Sequence, residues 1–142
     1  MFVEMERFAT CRLAQTPDTS APDGSEVRLL CATRGGSMAH FRLLPGAVSK
    51  AVAHRTVEEI WVVTAGIGRL WRRLAAVEEI IQLEAGTSLT IPIGTAFQFR
   101  NDGATPLDII GVTMPPWPGT DEAYGVAGPW PASGQSGGEG GG

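Results

Sequence analysis

From Val27 onward, short runs rich in β-branched and aromatic residues alternate with separators rich in Gly, Pro, Asn and Asp. The runs cover residues 27–33, 38–44, 48–54, 59–64, 68–73, 79–83, 88–91, 96–100 and 107–113, each of strand length. Between them stand tight-turn sequences such as Gly35-Gly36, Pro45-Gly46, Ala65-Gly66 and Asn101-Asp102-Gly103. Strands at this regular spacing predict an all-β sandwich or barrel. Residues 75–81 could be read as a helical turn, but their β-branched content and short length favour a strand. Within a strand, side chains alternate between faces, so Glu59 shares a face with Trp61 and Val63, Phe97 with Phe99, and His54 with Val52.

The flanks read differently. Residues 2–13 mix apolar and polar positions without helical spacing and suit an arm that pairs with a sheet edge, while 16–25 are turn formers and predict an irregular loop. After Thr113 the prolines of Pro115-Pro-Trp-Pro118 and Pro129-Trp-Pro131 lack the backbone donor that a ladder needs, predicting an extended strap pinned by Trp117 and Trp130. The Gly-rich end has no apolar anchor and is expected to be disordered. The expected organisation is an arm and loop over 1–23, a barrel over 24–114, a strap over 115–132 and a disordered tail over 133–142.

A net charge of −4 without a long basic run argues against a nucleic-acid surface. Arg69, Arg72 and Arg73 read as a solvated hairpin, with an anion site as the alternative. Cys11 and Cys31 are too few for a disulfide framework and are expected to be free thiols. There is no signal-peptide pattern and no apolar run near the roughly 20 residues that span a bilayer, so the expectation is a soluble cytoplasmic protein without membrane contact.

Two blocks carry polar, Gly and Pro residues at spacings that strands do not require. In the first stand Gly46, Val52, His54, Glu59 and Gly66; in the second stand Gly86, Pro92, Gly94, Phe97 and Asn101. Over residues 24–118 the chain resembles a small single-domain cupin. That resemblance implies a jelly-roll barrel, a double-stranded β-helix, with a metal held by residues at positions 52, 54, 59 and 97. Two of these positions are apolar here, Val52 and Phe97, which implies a degenerate metal site and no cofactor. The alternative is one divalent transition metal on His40, His54 and Glu59, available if His40 points inward; otherwise His40 is an edge or surface histidine.

If the faces point inward as in that family, the cavity is apolar and aromatic. Val52, Trp61, Val63, Phe97 and Phe99 would line it, with His54 and Glu59 near its mouth, a common construction for small-molecule sites. Desolvation should raise the Glu59 pKa and a neighbouring histidinium should lower it, giving a proton exchangeable near neutral pH. His54 and Glu59 are therefore the candidate catalytic pair of a metal-independent isomerase, epimerase, cyclase or lyase acting on a small organic metabolite. Alternatives are a non-catalytic binding module, in which the two groups only close the barrel mouth, and a metal-dependent enzyme. Arg55 either anchors a ligand carboxylate or faces water. Cupins commonly pair, so a homodimer is expected, with the N-terminal arm offering a strand to exchange.

Overall fold

The computed structural model describes residues 7–119 and 121–133. The first six residues of the expected arm, and the expected disordered tail from 134 onward, lie outside the described residues. Every element among the described residues is a strand: β1 (Thr19–Ser20), β2 (Glu26–Ala32), β3 (Ser37–Leu43), β4 (Val52–His54), β5 (Glu58–Ala65), β6 (Ile67–Leu74), β7 (Val77–Glu84), β8 (Ser88–Ile91), β9 (Ala96–Asn101), β10 (Leu107–Met114) and β11 (Ala123–Gly125). They form two antiparallel sheets, one ordered β1-β2-β3-β10-β5-β8 and the other β11-β4-β9-β6-β7. None of the helical turn considered for 75–81 is present; β6 and β7 form a hairpin with Leu74 opposite Val77.

The two sheets share one core. Leu43, Trp61, Val63, Leu89, Ile91, Leu107 and Ile109 come from the six-stranded sheet and meet Val52, Leu70, Leu83, Phe97 and Phe99 from the other. Strict alternation, of exposed with buried residues along β5 and of half-buried with buried residues along β10, is what lets each strand turn one apolar face inward. The motif glycines Gly46, Gly66, Gly86 and Gly94 all adopt positive φ, between 77° and 94°, which L side chains rarely occupy. Their spacing therefore records turns that only glycine makes cheaply. The motif Asn101 closes the β9–β10 loop, its amide donating to the carbonyls of Leu43 and Thr105 and its carbonyl accepting from Gly103 N–H.

Three local expectations need correction. Of residues 48–54 only Val52–His54 is strand, because Ser49 bonds Phe99 through both its backbone N–H and its Oγ, drawing the chain out of the ladder. The loop over 16–25 contains β1, which pairs Thr19 with Val27. The strap also joins a sheet: β11 pairs with β4, placing Ala123 opposite His54. Its prolines cluster at either end, so the proline-free stretch between them keeps the donors a ladder needs. Beyond β11, Trp130 packs with Ala51, Trp71 and Ala96 on the outer face of the five-stranded sheet. Both ends of the Gln98 amide bond the Trp130 backbone.

The described part of the N-terminal arm follows β2 of its own chain. Arg28 donates to the carbonyls of Ala14 and Gln15. Cys11 and Cys31 are free thiols, 20 residues apart in sequence, yet their sulfurs lie 3.5 Å apart. The hairpin arginines are paired, Arg69 with Asp102 just after β9 and Arg72 with Glu79 across the hairpin, and Arg73 lies over the Trp71 ring. No helix among the described residues is long and apolar enough to cross a membrane.

Candidate active site

Glu59 lies on the inward face of β5, directly opposite Thr113 on β10 and Ile91 on β8. Its carboxylate is 4% exposed, and Trp61, two residues along the same face, donates its indole N–H to Oε1 at 2.6 Å. Trp61 can lie flat over β10 because that strand carries Gly111. A Cβ there would come within 3.0 Å of Phe41 and 3.1 Å of Trp61. His54 enters from the opposite sheet at the end of β4, a strand held between β9 and β11. Its Nδ1 lies 3.1 Å from Glu59 Oε2 but makes no hydrogen bond of good geometry. Its ring meets Phe97 and Trp117 edge-on, with centroids 5.3 and 5.1 Å away.

Burial sets the charge state of both groups. It lifts the Glu59 carboxyl from 4.5 to about 7, opposed by the Trp61 hydrogen bond and reinforced by the nearby Asp23 and Glu122 carboxyls. It drives the His54 imidazole from 6.5 down to about 4, against the pull of Glu122. No histidinium is available near neutral pH to lower Glu59, so desolvation prevails on both sides of the pair.

Glu122 comes from the strap. Burial works to raise its carboxyl, but donors from Thr56 N, Thr56 Oγ1 and Val57 N at 2.6–2.9 Å outweigh it and hold the group below its ordinary value. This carboxylate fastens β11 to the loop before β5. Glu122→Ala leaves the buried Val57 N–H unpartnered and turns the two donors of the exposed Thr56 to water, and is expected to cost about 1–3 kcal/mol. Limited proteolysis should then cut the strap between 119 and 128 well before the sheets, and an unchanged digestion rate would show that β11 holds the strap without Glu122.

Between the sheets, under the strap, lies a cavity of about 460 Å³. Of the residues expected at the site, Val52, His54, Glu59, Trp61 and Phe97 line it. Val63 and Phe99 sit deeper in the core, with Phe99 packed edge-on behind Trp61. Arg55 is on the surface, where it donates to the Asp121 carbonyl and covers the Tyr124 ring. Asp23, Phe41, Thr113 and Trp117 also line it, together with further residues of β1, β2 and β3. Phe41 and Thr113 could have been found by alternation from Leu43 and Ile109. Asp23 carries no such signal, since Pro22-Asp23-Gly24 reads as an ordinary exposed turn. A more open hollow of about 570 Å³ beneath the strap holds Lys50 and Gln98, but the Gln98 amide is already bonded to Ser49 and Trp130.

The side chains present do not fit a metal ion. Val52 and Phe97 face each other across β4 and β9 with no donor atom on either. His40 cannot replace them: it lies on the face of β3 opposite to Phe41, whose ring stacks on Trp61. The expectation of an edge or surface histidine also fails, because β3 lies between β2 and β10 and His40 is 2% exposed, packed beside Arg28 with Nε2 3.3 Å from Asp108. Among the described residues no group of three or more His, Cys, Asp or Glu side chains could hold a metal.

This fold and motif arrangement match the cupin domain family over residues 39–113, and the chain belongs to that family. Solved structures agree on the fold. Oxalate decarboxylase OxdC of Bacillus subtilis aligns with a TM-score of 0.65 at 17% identity, over 79% of this chain and 30% of its own. CapF, a capsular polysaccharide assembling protein of Staphylococcus aureus, aligns at 0.61 and 21% identity, over 75% of this chain and 33% of its own. BH2720 of Bacillus halodurans gives 0.60 at 20% identity, with 70% and 74% covered. The chain thus spans about a third of the first two proteins.

Proposed function

We propose that the chain binds a small organic metabolite in the aromatic cavity and transfers a proton on it through Glu59 and His54, without a metal ion. The observation that carries this reading is a buried carboxyl at about 7 beside a neutral imidazole 3.1 Å away, both facing the same cavity. A carboxyl poised there exchanges its proton readily in either direction near neutral pH. The imidazole, unprotonated above about 4, relays that proton from its place beside Oε2 without holding it, and the apolar walls keep water from competing. Enolisation, epimerisation, dehydration and cyclisation all need this pairing of one acid with one base. In this reading the two sheets form the jelly-roll barrel, residues 24–114 are its body, the strap over 115–132 closes its mouth with Trp117, and the protein works as a homodimer.

The test is solvent exchange. Candidate metabolites found by a ligand screen are incubated with the protein in heavy water, and deuterium incorporation at carbon is followed by NMR. Glu59→Gln should lose incorporation even at ligand concentrations that saturate it. Ligands that bind both forms equally, with no exchange in either, would make the chain a binding module.

A further inference from the structure

The walls of the cavity also restrict what can enter it. Among the described residues its ionisable side chains are Asp23, His54 and Glu59, and no Lys or Arg lines it. The nearest buried cation, Arg28, lies on the outer side of the six-stranded sheet beside His40, occupied by Ala14, Gln15 and Glu26. A carboxylate or phosphate ligand would therefore lose its hydration with no counter-charge to receive it, next to two carboxyls and with Glu122 behind them. Acceptors, by contrast, are in excess. Both hydrogen bonds to Asp23, from Ser25 N and Oγ, fall on Oδ1, leaving Oδ2 open. Trp61 occupies Oε1 of Glu59, leaving Oε2, and Nδ1 of the buried His54 has no partner. The two open carboxylate oxygens, Asp23 Oδ2 and Glu59 Oε2, with the enclosed His54 Nδ1 3.1 Å from Oε2, suit the N–H donors of a primary ammonium.

We propose that the ligand class selected by this cavity is a hydrophobic primary amine, bound as its cation by the Asp23 and Glu59 carboxylates and the His54 imidazole, with its apolar body among Phe41, Trp61, Phe97 and Trp117. The proposal rests on the reading of this cavity as the ligand site. The aromatic faces add cation–π attraction to the charge pairing. Asp23 is a carboxyl whose burial raises its pKa against the bonds from Ser25, so both acids are held protonated more readily than in water until a cation arrives. Binding an ammonium then expels a proton from Glu59. Affinity should rise with pH through about 7 and fall again as the free amine loses its charge, with Asp23, His54 and Glu122 as the charged or titratable neighbours acting on Glu59.

The experiment is calorimetric titration of the full chain with benzylamine, 2-phenylethylamine and tryptamine, each beside its alcohol and carboxylate counterpart, at pH 6 and pH 8. At pH 8 an amine should bind at least about tenfold more tightly than its alcohol, the carboxylate should be weakest, and the amine advantage should shrink at pH 6. Glu59→Gln should bring the amine within about threefold of its alcohol, and Asp23→Asn should weaken the amine while leaving the alcohol unchanged. Should Glu59→Gln not fold, Asp23→Asn and the pH dependence of the unaltered chain decide the matter. Alcohols binding as well as amines, or carboxylates binding best, would overturn the amine assignment and leave the cavity as the ligand site. Failure of all nine compounds to bind would overturn both.

Discussion

Glu59→Gln is expected to stabilise the protein at pH 8 by about 3 kcal/mol while removing proton transfer. The folded state raises the Glu59 carboxyl from 4.5 to about 7, so the stability this group contributes is complete below 4.5 and is lost as pH rises through about 7. At pH 8 the wild type buries a carboxylate, whereas glutamine buries none and still offers an oxygen to the Trp61 indole N–H. His54 runs the other way: its pKa is depressed from 6.5 to about 4, so its contribution is present above 6.5 and is lost as pH falls through about 4. Between pH 4.5 and 6.5 the two slopes oppose each other and the pair contributes little pH dependence. Glu59→Gln leaves only the histidine slope, so stability of the variant should climb across that window. Urea unfolding from pH 4 to 8 measures this. A variant less stable than wild type at pH 8 would mean that the Glu59 carboxylate is compensated, with His54 carrying the counter-charge.

Restoring donors at the two apolar motif positions should convert the cavity into a metal site. In a Val52→His, Phe97→His double variant, the new imidazoles would stand opposite each other across β4 and β9, on the face that carries His54 and near Glu59. Four donors meet what zinc requires, whereas His54 and Glu59 alone supply two. Removing Phe97 forfeits edge-on contacts to His54 and Trp61 at 5.3 and 5.5 Å. The apo variant should therefore lose about 3 kcal/mol of stability, regained when excess zinc binds the folded state. Elemental analysis after dialysis should find one zinc per variant chain and none in wild type, with the variant's affinity higher by at least about a thousandfold. Stoichiometric zinc in untagged wild type would show that His54 and Glu59 recruit donors from elsewhere. A folded double variant that stays empty would show that side-chain identity at 52 and 97 is not what excludes the ion.

Much of this was legible in the chain because its causes are local. Every run expected as a strand overlaps one, since β-branched content and turn residues act over a few positions. Period-2 alternation placed Glu59, Trp61 and Val63 on one buried face, as it had to once that face was apolar. The motif glycines marked turns with positive φ. The family resemblance carried by the motifs brought Val52, His54, Glu59 and Phe97 together, and all four line the cavity.

What the sequence could not express is how segments distant along the chain cover one another. Asp23 is a turn residue until β1 and β2 enclose it beside Glu59; Trp117 is one of several strap aromatics until its ring settles against His54. His40 loses contact with water under its neighbours, and Arg55, read as either a ligand anchor or a solvated side chain, stands at the surface. The charge state of the central pair belongs to the same category. Sequence supplied a carboxyl and an imidazole at motif spacing, and their chemistry alone permits an ion pair. Only the tertiary structure removed the water from both and placed Glu122 and Asp23 nearby, making the protonated acid beside the neutral imidazole the favoured form, because desolvation depends on everything that surrounds a group and not on its neighbours in the chain.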